Sequence, residues 1–366
     1  MMETTLPAPY LIPLLGFILG IFFGAVSVRS NFCTMGAVSD IVVMGDWNRM
    51  RMWMLAIAVA LAGTTALQLK GWLDITDTIY TAPRLVWLSH IVGGLLFGVG
   101  MVLASGCAGK NLVRIGGGSL RAAMVFMVIA ISAYMTLKGL YALLRVNLLD
   151  PVSVTLSTPQ DLPTVLAQAT GAARNTWLIA LTALIAGGFA IFSLAGKRFR
   201  TFDRLLGGIG IGLAVAAAWY VSGHLGHVAE HPDTLQEAYL ATNSGRAESF
   251  SFVALYAYTM ELLMMWTDTS RVVTYGIAMA LGVVAGSFLY SVLTGNFRLE
   301  TFTDTGDLMR HVIGGNLMGF GAVVSMGCTI GQGVTGFSTL AIGSILTTFS
   351  IIAGAVPTLR WILNRA

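Results

Sequence analysis

Nine stretches of this chain stay apolar for the ~20 residues that a helix needs to cross a bilayer. They run over 10–28, 52–69, 86–105, 119–143, 176–195, 205–222, 272–293, 309–326 and 338–357. Two further apolar stretches, 32–45 and 250–266, are too short or too polar to cross. The pattern is also interrupted by glycine-rich segments, "SGCAGKN" at 105–111 and "SMGCTIGQGVTGFSTL" at 325–340. The second holds no Lys, Arg, Asp or Glu, unlike an ordinary solvated loop. The fold class this predicts is an all-α integral membrane protein with about nine transmembrane helices.

Non-helical backbone at membrane depth is tolerated only where protein buries it or where it lines a watery cavity. Cys328–Gly336 is therefore expected to be a re-entrant loop carrying a short half-helix, with Cys107–Gly117 as its inverted twin. The stretches 32–45 and 250–266 become a second such pair, giving about four short re-entrant helices. Loops dipping from both faces leave two funnels that meet at a thin central barrier.

An internal repeat supports this pairing. "LSHIVGGLLFGVGMVLASGC" (88–107) aligns without a gap on "MRHVIGGNLMGFGAVVSMGC" (309–328) at an offset of 221. The identities include His90 with His311, Gly93 with Gly314, Gly94 with Gly315, Gly98 with Gly319, Gly100 with Gly321, Gly106 with Gly327 and Cys107 with Cys328. The two copies lie five spans apart, and an odd shift inverts one relative to the other. Inverted repeats are common in transporters, with the binding site at the repeat interface. The expected organisation is one membrane domain over 1–366, with a first repeat at 10–145, a connecting region with one span at 146–204 and an inverted second repeat at 205–357. Glycines spaced by four, such as Gly94/Gly98 and Gly315/Gly319, read as helix-packing faces.

Composition narrows the class. The chain is 56% hydrophobic and 10% charged, against about 25% charged in soluble domains. A formal charge of +4 is too small and too dispersed for nucleic-acid binding. Fourteen of the 21 Lys and Arg residues fall on the C-terminal side of the predicted spans. The positive-inside rule puts that side in the cytoplasm and the N-terminus outside. No basic residue precedes the first apolar stretch, so no cleavable signal is expected.

Three cysteines, Cys33, Cys107 and Cys328, form neither a C-x-x-C pair nor a zinc spacing. No disulfide framework, metal site or cofactor is expected. Each cysteine instead marks a helix break beside glycine, in "NFCTMG", "SGCAGKN" and "MGCTIGQG". Gly36, Gly106, Gly109, Gly327 and Gly331 are the residues expected to shape these loops. A thiol withdrawn from water stays neutral and offers a soft, weakly donating S–H. Such a group suits a soft anion with a terminal sulfur, and weak contacts suit an ion that must also leave. The candidate anion contacts are Asn31, Lys110, Arg114 and Gln332. Glu261 is a candidate proton site. His224, His227 and His231 read as fortuitous surface residues of an insertion over 224–249, which itself reads as peripheral.

"GCTIGQGVTGFSTLA", "SGCAG" and "RSNFCTMGA" resemble the YeeE/YedE family of membrane proteins, in particular its thiosulfate-uptake branch, over essentially the whole chain. The resemblance implies an hourglass-shaped bacterial inner-membrane protein of nine spans and several re-entrant helices. It implies thiosulfate import, with the ion relayed along Cys33, Cys107 and Cys328. It also implies a separate TusA-like sulfurtransferase as a cytoplasmic partner, beside membrane lipid. The residues leave two alternatives open: transport of another sulfur- or selenium-containing ion, and a membrane thiol enzyme acting as sulfurtransferase or persulfide carrier. The absence of a His or acid beside any cysteine argues against an enzyme.

Overall fold

The computed structural model describes residues 8–76, 78–230, 235–268 and 271–364. Among these, nine long helices occupy the nine predicted stretches. They are α1 (Ala8–Ser30), α3 (Asn48–Leu69), α4 (Trp87–Leu103), α6 (Leu120–Lys138), α9 (Arg174–Ala195), α10 (Phe202–Tyr220), α12 (Tyr275–Leu293), α13 (Thr305–Val324) and α14 (Ile342–Leu363). Between them lie the short helices α2 (Thr34–Met44), α5 (Ala108–Gly116), α7 (Leu140–Leu144), α8 (Leu162–Thr170) and α11 (Phe252–Met264). A π-helical turn over Gly331–Gly336 runs into a 3-10 turn over Phe337–Thr339. Two-residue strands form two small antiparallel ribbons, Arg84–Leu85 with Val154–Thr155 and His227–Val228 with Ala238–Tyr239.

Eight of the long helices are apolar enough to cross a membrane. The ninth, α13, is more polar because it carries Asp307, Arg310, His311 and Asn316. It packs between α4 and α6. The all-α membrane class therefore follows from the element list as well as from the composition. In contrast to the rest, α9 packs on α3 and leaves most of its apolar surface uncovered, as a lipid-facing helix does.

Small residues set the close helix packing that lipid alone does not drive. A methyl group on Gly93 would sit 2.6 Å from the Gly321 carbonyl oxygen, and one on Gly100 would sit 2.6 Å from that of Gly314. Residue order reverses across these contacts, so α4 and α13 run antiparallel. At the offset of 221, Gly93 corresponds to Gly314 and Gly100 to Gly321, so one contact is made twice about a local two-fold axis. The flanking contacts obey the same relation. Gly98 abuts the Ile351 carbonyl of α14, and its counterpart Gly319 abuts the Ile129 carbonyl of α6. Likewise α1 lies along α12 through Gly20 and Gly24, while α10 lies along α3 through Gly208 and Gly212.

Glu261 on α11 is buried and paired with Lys138 at 2.8 Å and with Arg271 at 3.2 Å. Removing either cation would leave part of a buried charge uncompensated. This clamp ties α6, α11 and the approach to α12 together, so the geometry gives Glu261 a structural task.

Candidate functional site

The helices α1, α4 and α13 end in one and the same backbone motif. In α4 the Gly106 amide donates to the Met101 carbonyl at 2.9 Å and the Ser105 amide to Val102 at 3.2 Å. In α13 Gly327 donates to Ala322 at 2.7 Å and Met326 to Val323 at 3.2 Å. In α1 Phe32 donates to Ser27 at 3.2 Å and Asn31 to Val28 at 3.3 Å. This is the Schellman stop, which satisfies carbonyls left over at a helix end. Its left-handed residue is usually glycine, but here it is Asn31 (φ 51°), Ser105 (φ 53°) or Met326 (φ 60°). Each cysteine follows its left-handed residue by two positions.

The chain then restarts at the cysteine. Cys33 caps α2, and its Sγ accepts from the Gly36 amide at 3.3 Å. Cys328 opens the π-helical turn, and its Sγ accepts from the Gly331 amide at 3.4 Å. Cys107 caps α5 without such a bond, which frees its thiol to face the Cys33 thiol and the Thr329 hydroxyl. All three thiols are buried and unpaired by disulfides. Tyr256 lies in electrostatic range of both Cys107 and Cys328, and its hydroxyl donates to the Ala108 carbonyl at 2.6 Å.

Two small cavities of ≈ 10 Å³ each sit at this junction. That is the threshold for holding one water. One is lined by Phe32, Cys33, Thr34, Cys107, Lys110 and Ile330, among others. The second is lined by Thr34, Trp53, Thr329, Gly333, Thr348 and two isoleucines of α14. A larger vestibule of ≈ 340 Å³ reaches Gly327, the residue before Cys328. Tyr80, Ser251 and Gly327 line it near the cysteine, and Arg145, Arg246 and Glu248 line it elsewhere. Tyr80 is in electrostatic range of Cys328 and in hydrogen-bonding range of Ser251.

The expected anion contacts divide by position. Lys110 reaches the first cavity and donates to Asn31 Oδ1 at 2.7 Å, and Asn31 is exposed. Arg114 instead donates to the Ser105 carbonyl at 2.8 Å, on the left-handed residue of the α4 stop. The Gln332 amide donates to the Ser325 carbonyl at 2.6 Å, so it holds the end of α13. Asn111, which is Gln332's counterpart in the repeat, does the same at the end of α4, reaching the Gly106 carbonyl at 3.1 Å. Sequence reasoning missed Asn111, although the offset of 221 marks it.

The glycines also differ in what they face. A side chain on Gly331 would meet Ser251 Oγ at 2.5 Å, one on Gly327 would meet Gln332 at 3.0 Å, and one on Gly109 would meet Phe252 at 3.0 Å. A side chain on Gly36 would meet the end of Arg49, while one on Gly106 would find ordinary space. The tight turn expected of Gly106 falls one residue earlier, on Ser105. The segment 224–249 is not wholly peripheral, since Asn243–Ser249 forms part of the vestibule wall. No cluster of metal-binding side chains occurs among the described residues, and His231 lies outside them.

Comparison with known proteins bears on what this arrangement serves. Residues 29–356 match the family described as Sulphur transport. The thiosulfate transporter TsuA of Spirochaeta thermophila is 26% identical over 358 residues, covering 96% of this chain and 98% of that protein. The thiosulfate transporter TsuA of Escherichia coli is 26% identical over 324 residues, 87% of this chain and 86% of its own. A probable transporter, YedE of Salmonella typhimurium, is 30% identical over 95 residues, 25% of this chain and 21% of its own. The chain belongs to the Sulphur transport family, the YeeE/YedE membrane proteins.

Proposed function

We propose that this protein carries thiosulfate inward across the bacterial inner membrane for sulfur assimilation, and that the ion passes Cys328 first and then Cys107 and Cys33. The observation that carries this reading is the convergence of three Schellman stops, each delivering a cysteine to the start of a new turn at one closed junction. Arg145 and Arg246 in the vestibule supply positive charge on the outer approach, and Lys110 beside Asn31 supplies it on the inner one. Between them the cavities are too small for a five-atom anion, so side chains must move aside for passage. Tyr80 and Ser251, next to Cys328, are placed to form that outer gate.

Neutral thiols offer the terminal sulfur of the ion S–H···S contacts, each of second-order strength. Exchange of one weak contact for the next moves the ion without trapping it. The two halves, 10–145 and 205–357, act in this reading as inverted units around the junction. The positive-rich side is cytoplasmic, and a TusA-like sulfurtransferase receives the product there.

A thiol enzyme is the second reading, favoured by the contact of Cys33 with Cys107 beside Lys110. One experiment separates the two. Thiosulfate labelled separately in its outer and its central sulfur is offered to sealed proteoliposomes. Transport predicts that both labels enter together at the same rate, and entry of only one label shows cleavage.

A further inference from the structure

The second small cavity is lined by polar side chains whose hydrogen-bonding capacity is largely unused. The indole nitrogen of Trp53 and the hydroxyl of Thr34 are buried and make no hydrogen bond, and the buried Thr329 hydroxyl has only the Cys107 thiol beside it. The three residues are only 5%, 2% and 1% exposed. Such orphans are uncommon in folded proteins, and each calls for an explanation. The Trp53 group narrows the explanation, because an indole N–H donates and cannot accept. Its missing partner must be an acceptor.

The position of Trp53 is fixed from behind. A methyl group on Gly333 would meet the Trp53 ring at 2.7 Å, so the glycine lets the indole lie against the turn that follows Cys328. Thr34 lines both small cavities, and Thr329 faces Cys107. The donor group and the thiol group are thus neighbours that share Thr34. An ion with a soft sulfur at one end and oxygens at the other matches this pairing.

We propose that Trp53, Thr34 and Thr329 form an oxyanion-binding set, which takes the oxygen end of the transported ion while Cys33 and Cys107 take its terminal sulfur. The inference rests on the transport reading above and adds to it the residues that distinguish the two ends of the ion. Charged acceptors strengthen hydrogen bonds roughly twofold over neutral ones, so the set favours an oxyanion over water. It also gives the ion one orientation at the barrier.

The test uses the whole protein in proteoliposomes and nanodiscs, with thiosulfate as the probe. Trp53→Phe and Thr34→Val each remove a donor that has no partner, and Thr329→Val removes no more than a contact with the Cys107 thiol, so the melting temperature is expected to hold or rise. Thiosulfate uptake per inserted protein is expected to fall about tenfold in each variant. The indole N–H resonance that disappears in Trp53→Phe is expected to shift saturably when thiosulfate is added to the wild type. Wild-type uptake in all three variants, or an indole resonance that stays fixed at saturating thiosulfate, overturns the donor set. A wild-type protein that takes up no thiosulfate overturns the transport reading on which it stands, and that failure is distinguishable because it precedes any substitution.

Discussion

At the scale of single residues, the site is built on three strained positions that are not glycine. Asn31, Ser105 and Met326 hold left-handed backbone, which costs an L-residue roughly 1–2 kcal/mol. Such strain gathers at functional sites when the surroundings over-determine it. Here the Schellman bonds do so, and Arg114 adds a bond to the Ser105 carbonyl. Ser105 is exposed, so replacing it by glycine sacrifices no packing. Ser105→Gly is expected to raise stability by about 0.5–1 kcal/mol, the relief of strain less the extra entropy of glycine in the unfolded chain. Thermal melting in detergent micelles measures this, and a lower melting temperature would contradict the assigned turn. The cysteines were legible in the sequence because each sits beside glycine where an apolar stretch stops. The strained residues were not, because left-handed backbone is assigned to glycine by default and the pattern "SGC" or "MGC" offers one. Only the hydrogen bonds show that the turn precedes it. The orphan donors were equally hidden, since a lack of partners is a property of tertiary packing.

At the scale of elements, the short helices are what turn nine spans into a site. The expected half-helices after Cys107 and Cys328, and the pair at 32–45 and 250–266, correspond to α5, the turn over Gly331–Gly336, α2 and α11. They were legible from length alone, because 11 or 13 helical residues are too few to cross a bilayer. The form of the last one was not. Its run of Gly331, Gly333 and Gly336 lets a wide π-helical turn pack directly against Ser251, Trp53 and Ser344. Gly331→Leu tests whether that packing matters. Leucine favours a regular helix, yet its Cβ would collide with Ser251 at the start of α11 and shift Cys328. We expect at least a tenfold loss of thiosulfate uptake at equal membrane-inserted protein. Uptake at the wild-type rate would show that this turn does not position the path. The vestibule was beyond sequence reading, because its wall joins 79–82, Arg145, 243–251 and α13, which only the fold brings together.

At the scale of the whole molecule, the doubled contact between α4 and α13 is the organising feature. It was visible in the sequence because close helix contacts tolerate only small residues, so Gly93, Gly100, Gly314 and Gly321 survive in matching positions. The antiparallel seam of α4 and α13 ends the two helices at opposite ends of the pair, and the segments after their stops bring Cys107 and Cys328 back to one junction. The direction of the proposed path is expected from the charge bias. The segment Gly196–Thr201 carries Lys197, Arg198 and Arg200 and is expected in the cytoplasm, while Asn243–Ser249 is expected outside. A reporter active only in the cytoplasm should be active when fused after Arg200 and silent when fused after Gly245. The reverse result would invert the path and exchange the vestibule with the inner mouth.

The central claim is that the buried thiols themselves carry the ion. Its most direct measurement is the initial rate of labelled thiosulfate uptake into proteoliposomes holding equal amounts of wild-type, Cys328→Ala or Cys328→Ser protein. Cys328 is fully buried, and alanine and serine are no larger than cysteine, so either substitution fits with little disturbance. The account predicts saturable wild-type uptake that excess sulfate does not suppress, and at least a tenfold loss in both variants, because a hydroxyl keeps the hydrogen bond but not the softness of sulfur. Uptake by Cys328→Ala at the wild-type rate would contradict it.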